Sequence, residues 1–310
     1  MMTPVLTVGG MGRNVLHMIS LLKVAAPRLG RTGRTADALV TYGELDATHA
    51  EARRMIERGA IARKSEQGTP ITVVAADRQT NALVRFGRPW VSGPGESLTM
   101  SFIAVIPSSV ADDEMVNGWL SMIAGLSTLD GLEGAIDEFG ARPYDPDCTF
   151  KLKWPNDVYC HGLKLGGTVA EVIPLPDTDE ERAVVFSIGV NLAMPADRLP
   201  TPRATSLQMQ VGPLPESVDV LRDEMASRLV ESLRVRLDSF VDMPLVQAGR
   251  LRSEMRHVCW MMGRYVEAQL IDGSGVSGEV VALNDDASIS VLTEAGEVRA
   301  LLASEVSVLN

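Results

Sequence analysis

The sequence predicts an α+β protein in which helices flank a mixed sheet and a small β-barrel is attached at the C-terminal end. Strand-like and helical patterns mix up to residue 262 without the strict alternation of a parallel α/β fold. From Gly263 onward, short strands follow at tight spacing, which is typical of a small barrel. We therefore predict an N-terminal extension over 1–36, a main domain over 37–262 and a barrel over 263–310.

The composition excludes several classes of protein. Of the 310 residues, 45% are hydrophobic and 22% charged, and the net charge of -11 disfavours a general nucleic-acid binder. Three separated cysteines (Cys148, Cys160, Cys259) and four histidines supply neither a disulfide framework nor a metal cage. The apolar stretch 15–26 is too short to span a bilayer. We expect a soluble protein of a reducing compartment.

The elements of the main domain follow from local patterns. The extension holds one candidate helix, over 14–24, and has no room for a DNA-binding helix-turn-helix. Apolar runs predict strands at 36–42, 71–76, 101–106, 150–154, 167–173 and 183–192, with an exposed hairpin over 174–182. Helical composition predicts helices over 47–58, 114–126 and 131–139 and a long amphipathic pattern over 214–262. Asp46 is the expected N-cap of the first helix.

The C-terminal pattern predicts four short strands. They lie at 265–271, 278–283, 288–292 and 297–302. Gly-Ser-Gly, Asn-Asp-Asp and Ala-Gly turns separate them.

The segment most informative about function is KLKWPNDVYCHGLKLGGTVAE, residues 151–171. A strand runs into Pro155, which ends the pairing and leaves the Asn-Asp pair 156–157 at the strand end, facing a cleft. Lys164 follows, and then the glycine pair 166–167, where a backbone can approach a ligand closely. Together these groups suit an anionic ligand, with or without hydrated Mg²⁺. Taken singly, each residue also fits an ordinary hairpin turn.

That ordered set resembles the biotin protein ligase family, whose most recognisable motif is KWPND followed by a lysine-glycine strand. Here the two parts are residues 153–157 and the strand KLGGTVAE at 164–171. The family's next landmarks are present as IGVNL at 188–192 and Thr-Ser-Leu at 205–207. The resemblance extends from about Val40 to the C-terminus and implies a class II synthetase-like catalytic domain with an SH3-like C-terminal domain. It points to the type without an N-terminal DNA-binding domain.

Two upstream family motifs are only partly present. The acidic-Ser-Thr-Asn helix start is Asp46-Ala47-Thr48-His49 here, where Thr48 also fits a simple cap and we expect His49 to be an exposed first-turn residue. The glycine- and arginine-rich loop is reduced to residues 79–90, which retain Gln79, Arg85, Gly87, Arg88 and Trp90. Ala82, Leu83 and Val84 predict a stiffer and more apolar loop.

The resemblance implies an ATP-dependent biotin–[biotin carboxyl-carrier protein] ligase. The biotin carboxylate attacks the α-phosphate of ATP, giving biotinyl-5′-AMP and pyrophosphate. A carrier lysine amine then attacks the acyl-adenylate and releases AMP. Neither step needs an enzyme nucleophile, so the adjacent Cys160 and His161 are expected to be structural or surface residues.

The resemblance also assigns a role to each matching position. Lys164 and Arg85 are the catalytic cations, contacting the biotin carboxylate and the phosphate. The groups expected to hold biotin are Thr48, His49, Gln79, Leu83, Val84, Arg85 and Lys164. The groups expected to bind ATP are Arg85, Arg88, Trp90, Lys153, Asn156 and Asn191. Trp90 could instead pack in the hydrophobic core. Asp157 is expected to arrange Mg²⁺ or the incoming amine.

The implied partner is a biotin carboxyl carrier protein or the carrier domain of an acyl-CoA or pyruvate carboxylase, in the cytoplasm. We expect Mg²⁺ to be required, with ATP and biotin as substrates. We expect no tightly bound cofactor, no nucleic-acid partner and no association with a membrane. Two alternatives stay open: a lipoate or octanoyl ligase of the same superfamily, and a non-catalytic biotin-binding protein. The sequence leaves open which carrier is modified, whether the chain forms a homodimer, and the role of residues 1–36.

Overall fold

A computed structural model describes residues 24–82, 85–90 and 92–309 of the chain. Most of the candidate helix at 14–24 lies outside these residues. The helices are α1 (Thr32–Thr35), α2 (Thr48–Glu57), α3 (Ser108–Ala111), α4 (Trp119–Glu138), α5 (Val218–Asp242) and α6 (Pro244–Val258). The first nine strands are β1 (Ala38–Leu45), β2 (Ile71–Gln79), β3 (Ser97–Pro107), β4 (Arg142–Pro143), β5 (Phe150–Lys153), β6 (Asp157–Cys160), β7 (Leu163–Leu175), β8 (Thr178–Asn191) and β9 (Val211–Gly212). The last five are β10 (Tyr265–Leu270), β11 (Gly275–Leu283), β12 (Ile289–Thr293), β13 (Val298–Leu301) and β14 (Val306–Leu309).

Seven strands form the main sheet, in the order β1-β2-β3-β8-β7-β6-β5. The β1–β2 pair is parallel and every other neighbouring pair is antiparallel. The sheet is therefore mixed, as the sequence predicts, and the α+β class is confirmed. In the described ranges, no helix has the length and apolarity needed to cross a membrane.

Helices cover both faces of this sheet, and strand β3 shows how. Its Phe102 joins the large core formed with α4 and α5, whereas Ile103 packs on the opposite face against Ile56 of α2. Because both faces are buried, the central strands are nearly continuous apolar runs. The N-terminal segment is anchored to α5, where Asp223 accepts the main-chain N–H of Arg31 at 2.8 Å.

Two helix predictions are wrong in detail, for reasons that lie elsewhere in the chain. Residues 119–138 form one continuous helix, α4, and residues 114–118 are turns before it. The helix does not begin anew at Gly131, because this glycine is a packing site within α4. A Cβ atom there would lie 3.0 Å from Leu229 Cγ and 3.1 Å from the Met225 carbonyl oxygen of α5. The pattern over 214–262 is two helices, since Pro244 begins α6.

Two turn predictions also change. The hairpin expected over 174–182 is shorter, because β7 continues to Leu175 and β8 begins at Thr178. Ala47, not Asp46, is the N-cap of α2, and its side chain makes no capping bond. Asp46 instead accepts hydrogen bonds from the Arg54 guanidinium at 2.8 Å, which lower the pKa of Asp46 to about 2.

The C-terminal strands form a five-stranded sheet in the order β13-β12-β11-β10-β14. The sequence patterns predict four of them, and the short β14 is missed. Two buried tryptophans of the main domain hold this sheet in place. The indole N–H of Trp119 donates to the Asp285 carbonyl oxygen at 2.6 Å, and that of Trp154 donates to the Ala287 carbonyl oxygen at 2.8 Å.

All three cysteines are buried free thiols. Although they are distant in sequence, the sulfurs of Cys148 and Cys160 lie 2.9 Å apart behind the β5–β6 hairpin. Burial, together with the neighbouring thiol, raises the pKa of Cys160 far above its usual range. Cys160 is therefore a structural thiol, whereas His161 lies in the following turn with its side chain 46% exposed.

Replacing Gly131 with leucine tests the close contact of α4 with α5. We expect overpacking to cost about 1–3 kcal/mol of unfolding free energy. Gly249→Leu is the matched control, because a Cβ at that helical glycine has nothing within 4 Å, and it should stabilise by about 0.5–1 kcal/mol. Thermal unfolding of both variants measures the difference. Equal effects would contradict the assigned contact.

Candidate active site

Two adjoining spaces lie on the α2 face of the sheet and at its β5–β6 end. The first, here called the inner cavity, is lined by Ala47, Thr48, His49, Gln79, Ala82, Trp90, Thr99, Met100, Gly167, Val169, Ser187, Ile188 and Gly189. The second, here called the cationic cleft, has a volume of about 320 Å³ and is lined by Arg85, Arg88, Lys153, Trp154, Pro155, Asn156, Asp157, Lys164, Thr201, Val306, Ser307, Val308 and Leu309. Gly167 lies between them, since a Cβ there would be 3.6 Å from Asp157 Oδ1.

Hydroxyl groups and one imidazole supply hydrogen bonds at the inner cavity. Thr48 Oγ1 lies 2.9 Å from Ser101 Oγ, which lies 2.8 Å from Ser187 Oγ. His49 Nδ1 is 2.8 Å from Ser187 Oγ, and its Nε2 is 2.6 Å from Glu171 Oε2. The prediction that His49 is an exposed first-turn residue is therefore wrong, because its side chain is only 27% exposed and held at both nitrogens.

Gln79 is oriented by the start of α2. Its Oε1 accepts the main-chain N–H of Thr48 at 2.7 Å. Because Oε1 is engaged as an acceptor, the NH₂ group is the free end of this amide, and Gln79 lines the inner cavity. The main-chain N–H of Thr48 thus orients Gln79, whereas its hydroxyl is hydrogen-bonded to Ser101.

Trp90 forms one wall of the inner cavity against the β8 backbone. A Cβ at Gly189 would lie 2.8 Å from two atoms of the indole ring, so only glycine permits this contact. The indole Nε1 is buried without a hydrogen-bond acceptor in the described part of the chain. A buried donor without a partner is costly unless a ligand satisfies it.

The cationic cleft contains four positive side chains and one carboxylate, counted over its described lining. Lys164 Nζ lies 2.6 Å from Asp157 Oδ1. Arg85 donates to Asn156 Oδ1 at 3.2 Å. The excess of positive charge makes the cleft an anion site on electrostatic grounds.

Strand β14 and the turn before it supply neutral acceptors to these cations. Arg85 donates to the carbonyl oxygens of Ala303 and Val306, and Arg88 to that of Ser307 at 3.2 Å. Lys153 Nζ donates to the Leu309 carbonyl oxygen at 2.7 Å. Burial lowers the pKa of Arg85 and of Lys153, and the carboxylate of Asp157 opposes both shifts.

Most of the residues singled out in the sequence meet at these two spaces, but Asn191 does not line either. Asn191 is buried, and its Nδ2 donates to the Thr205 carbonyl oxygen at 3.0 Å. The Thr205 N–H in turn donates to the Lys164 carbonyl oxygen at 2.8 Å, so Asn191 supports the loop beside Lys164. Leu83 and Val84 lie outside the described residues.

The glycine pair of the lysine-glycine strand has two different roles. A Cβ at Gly166 would lie 2.4 Å from the Gly189 carbonyl oxygen, so strand packing rather than a ligand requires this glycine. A Cβ at Gly167 would meet only ordinary contacts, the nearest at 3.4 Å. Of the two, Gly167 alone borders the ligand spaces.

Sequence reasoning missed Ser101, Ser187, Glu171 and the carbonyl oxygens of β14. The two serines carry a weak signal, since each is a hydroxyl inside a buried apolar strand, where a polar group needs a partner. Main-chain carbonyls carry no signal in the sequence at all.

Two sequence comparisons show what this chain is similar to. A model of the biotin/lipoate A/B protein ligase family matches residues 62–192. The biotin–[acetyl-CoA-carboxylase] ligase of Mycobacterium tuberculosis is 28% identical over 234 residues, which are 73% of this chain and 77% of that protein.

Two solved structures from Aquifex aeolicus share the fold. The biotin protein ligase in complex with biotin and ATP has a TM-score of 0.58 and 23% identity, covering 88% of this chain and 99% of that chain. A mutant of that ligase in complex with biotin has a TM-score of 0.60 and 23% identity, covering 88% and 97%. The fold is that of the biotin protein ligases. In sequence, the chain is similar to the biotin/lipoate A/B protein ligase family over residues 62–192.

Replacing Asp157 with asparagine tests the charge balance of the cleft. Removal of the one lining carboxylate should tighten the binding of metal-free tripolyphosphate about fivefold, because a unit charge at short range contributes about 1 kcal/mol in a water-like medium. Isothermal titration at low salt measures the affinity. Asp147→Asn, the same charge change at an exposed position outside the cleft, is the control. Weaker binding by Asp157→Asn would contradict this account.

Proposed function

We propose that this chain is an ATP-dependent biotin protein ligase, which forms biotinyl-5′-AMP and transfers biotin to a lysine of a carrier domain. The observation that carries the proposal is the junction of the inner cavity with a cleft in which four cations face one carboxylate. Such a pair of spaces suits a largely apolar acid whose carboxylate must meet a polyphosphate. The family-model match over residues 62–192 and the similarity to a biotin–[acetyl-CoA-carboxylase] ligase support the same function.

The first step joins two anions, so it depends on positive charge placed before the reactants arrive. The biotin carboxylate attacks the α-phosphorus of ATP, an O–P bond forms, and pyrophosphate leaves. Lys164 and Arg85 are the groups we assign to the charge that develops on the α-phosphate. Support comes from their position in the cleft, with Lys164 close to Gly167 at the boundary of the inner cavity.

The remaining assignments follow the same geometry. Thr48, His49 and Gln79 serve the biotin head group, and the described chain places all three in the lining of the inner cavity. Arg88, Lys153 and Asn156 serve the nucleotide in the cleft. Trp90, assigned to the nucleotide, lines the inner cavity with a buried indole N–H that has no acceptor in the described chain. Asn191 acts indirectly, through the Thr205 loop.

Mg²⁺ fits this site only as a companion of ATP. No group of three or more His, Cys, Asp or Glu side chains that could hold a metal ion occurs within the described residues. A single carboxylate, Asp157, faces the cleft, and magnesium in nucleotide sites is typically held by one or two carboxylates and the substrate phosphates. Asp157 would hold the ion, which would neutralise phosphate charge.

In the second step the uncharged ε-amine of a carrier lysine attacks the acyl carbon, and AMP leaves with the C–O bond electrons. The lysine ammonium gives up one proton before the attack, and the nitrogen gives up a second as the amide bond forms and AMP leaves. Asp157, the carboxylate in the described lining of the cleft, is the group we assign to accept this second proton. The partner is a biotin carboxyl carrier protein or carrier domain. The three free thiols are consistent with the cytoplasm.

Biotin transfer to a carrier domain tests the function directly. The purified chain, biotin, Mg-ATP and a carrier domain should increase the carrier's mass by one biotin. Lys164→Ala should slow pyrophosphate release at least ~100-fold, the effect of removing one preorganised electrostatic group. Lys151→Ala is the matched control, since Lys151 Nζ donates to the His257 carbonyl oxygen instead. Near-normal adenylation by Lys164→Ala would contradict its role.

Thermal stabilisation separates biotin from lipoate as the acid. At about 100 times its Kd, a ligand adds about 2.7 kcal/mol to the unfolding free energy, equal to a rise in melting temperature of several degrees. We expect that rise with biotin and none with lipoate at equal concentration. Stabilisation by lipoate alone would overturn the proposed substrate.

A further inference from the structure

Two of the three buried thiols meet at the open end of the β5–β6 hairpin. Cys160 is the last residue of β6, and Cys148 lies two residues before the first residue of β5. Although they are 12 positions apart in sequence, their sulfurs are 2.9 Å apart. The hairpin that they close carries Lys153 and Asp157, which line the cationic cleft. A bond between the two sulfurs would therefore tie together the ends of a hairpin that builds one side of the cleft.

The main chain holds both cysteines in place, so the short distance does not depend on side-chain rotation alone. Strand β6 is paired with β5 on one side and with β7 on the other, which fixes Cys160. The N–H of Cys148 donates to the Asp145 carbonyl oxygen at 3.0 Å in the preceding turn. The Asp145 carboxylate also lies 3.5 Å from Nε2 of His161, the residue after Cys160. Since an S–S bond is about 2.05 Å long, the sulfurs need to approach by only about 0.9 Å.

The two sulfurs lie on the face of the sheet opposite to the cleft. Side chains alternate between the two faces of a strand. Val158 and Cys160 of β6 therefore belong to the large core, whereas Asp157 lines the cleft. Cys148 belongs to the same core. Closing the bond thus leaves the charged side chains of the cleft where they are.

We propose that Cys148 and Cys160 are a redox modification site, at which hydrogen peroxide converts the two thiols into a reversible disulfide that locks the β5–β6 hairpin. The lock stabilises the fold and spares the cleft, so it protects the protein under oxidising conditions and does not switch it off. The inference is independent of the proposed function, because it concerns the face of the sheet away from the ligand spaces.

Cys148 is the thiol that meets the oxidant. It is 7% exposed and lies between the exposed residues Asp147 and Thr149, whereas Cys160 is fully buried. The Cys148 thiolate attacks one peroxide oxygen, an S–O bond forms, the O–O bond breaks, and hydroxide leaves and takes up a proton to become water. Cys160 then loses its proton and attacks the Cys148 sulfur, so that the S–S bond forms, the S–O bond breaks and a second water leaves. Two thiols and one peroxide thus give one disulfide and two waters, and two electrons pass from the sulfurs to the peroxide.

Burial governs both the rate of this reaction and the persistence of its product. Because burial raises the pKa of Cys160, its thiolate is scarce at neutral pH and ring closure is slow. The same surroundings do not stabilise the thiolate of the reduced pair, which favours a disulfide that persists once it has formed. The pair is therefore a slow and durable lock, not a fast peroxide sensor.

The test is a count of free thiols on the purified, reduced full chain before and after treatment with hydrogen peroxide at about pH 8.5, where thiolates are more abundant. Counted after denaturation, the free thiols should fall from three to one and return to three with dithiothreitol. Mass spectrometry of the non-reduced digest should place the bond between Cys148 and Cys160, with a loss of two hydrogen masses. The melting temperature should rise by about 5 °C, since the bond closes a loop in the unfolded chain. The Kd of metal-free tripolyphosphate should not change.

Cys259→Ser is the matched control, because Cys259 is as little exposed as Cys148, at 7% each. This variant should lose both of its thiols and show the same rise in melting temperature, whereas Cys148→Ser should keep both of its thiols and show no rise. Circular dichroism checks that each variant folds, and the digest of the wild-type chain is decisive in any case.

The inference would be overturned by a wild-type chain that keeps three thiols, that links Cys259 or a second chain, or that gains oxygen which dithiothreitol does not remove. A disulfide that fails to raise the melting temperature, or that weakens tripolyphosphate binding, would overturn it as well. None of these outcomes touches the proposed function, which is tested by biotin transfer.

Discussion

The structure depends on how the C-terminal sheet is docked against the main sheet. Trp119 and Trp154 are both almost fully buried. Each donates its indole N–H to a carbonyl oxygen in the turn between β11 and β12, at Asp285 and Ala287. A buried indole donor without a partner is costly, so the turn is held where these two bonds require it. That placement brings the carbonyl oxygens of β14 to the side chains of Arg85 and Lys153. The cationic cleft is therefore built by two parts of the chain together.

The positive charges of the cleft cost folding free energy, because they are partly desolvated, but they are in place before an anion binds. Lys153 and Arg85 are partly buried against neutral carbonyls, and desolvation lowers the pKa of each. More carboxylates would stabilise the cations but would also compete with an incoming anion. A single carboxylate, Asp157, holds Lys164 near the boundary of the inner cavity. A polyphosphate then meets positive charge that needs little rearrangement.

Local patterns predict much of the fold and part of the site. Strands such as β3 and β8 are visible as β-branched runs, and the segment around KWPND brings Lys153, Asp157 and Lys164 together because they lie on one hairpin and its neighbour. Features that depend on distant partners are not visible. Gly131 looks like the first residue of a second helix in the sequence, but it lies inside α4 and packs against α5. Ser187 is hydrogen-bonded to His49 across 138 residues of sequence. Asn191, which the resemblance assigns to ATP, is instead hydrogen-bonded to the loop at Thr205, and no local sequence motif predicts that contact.

The main-chain acceptors of β14 make this side of the cleft tolerant of amino-acid substitution. Its acceptors are main-chain oxygens, which every amino acid carries, so no missense change at Ser307 or Leu309 deletes them. The partly exposed side chains of Ser307 and Val308 can therefore change while the strand keeps its path, whereas Val306 and Leu309 are packed in the core. The opposite wall has no such freedom, because the guanidinium of Arg85 is specified by a codon. In the contact between Arg85 and Val306, the donor depends on the identity of residue 85, whereas the acceptor depends only on the path of the β14 main chain.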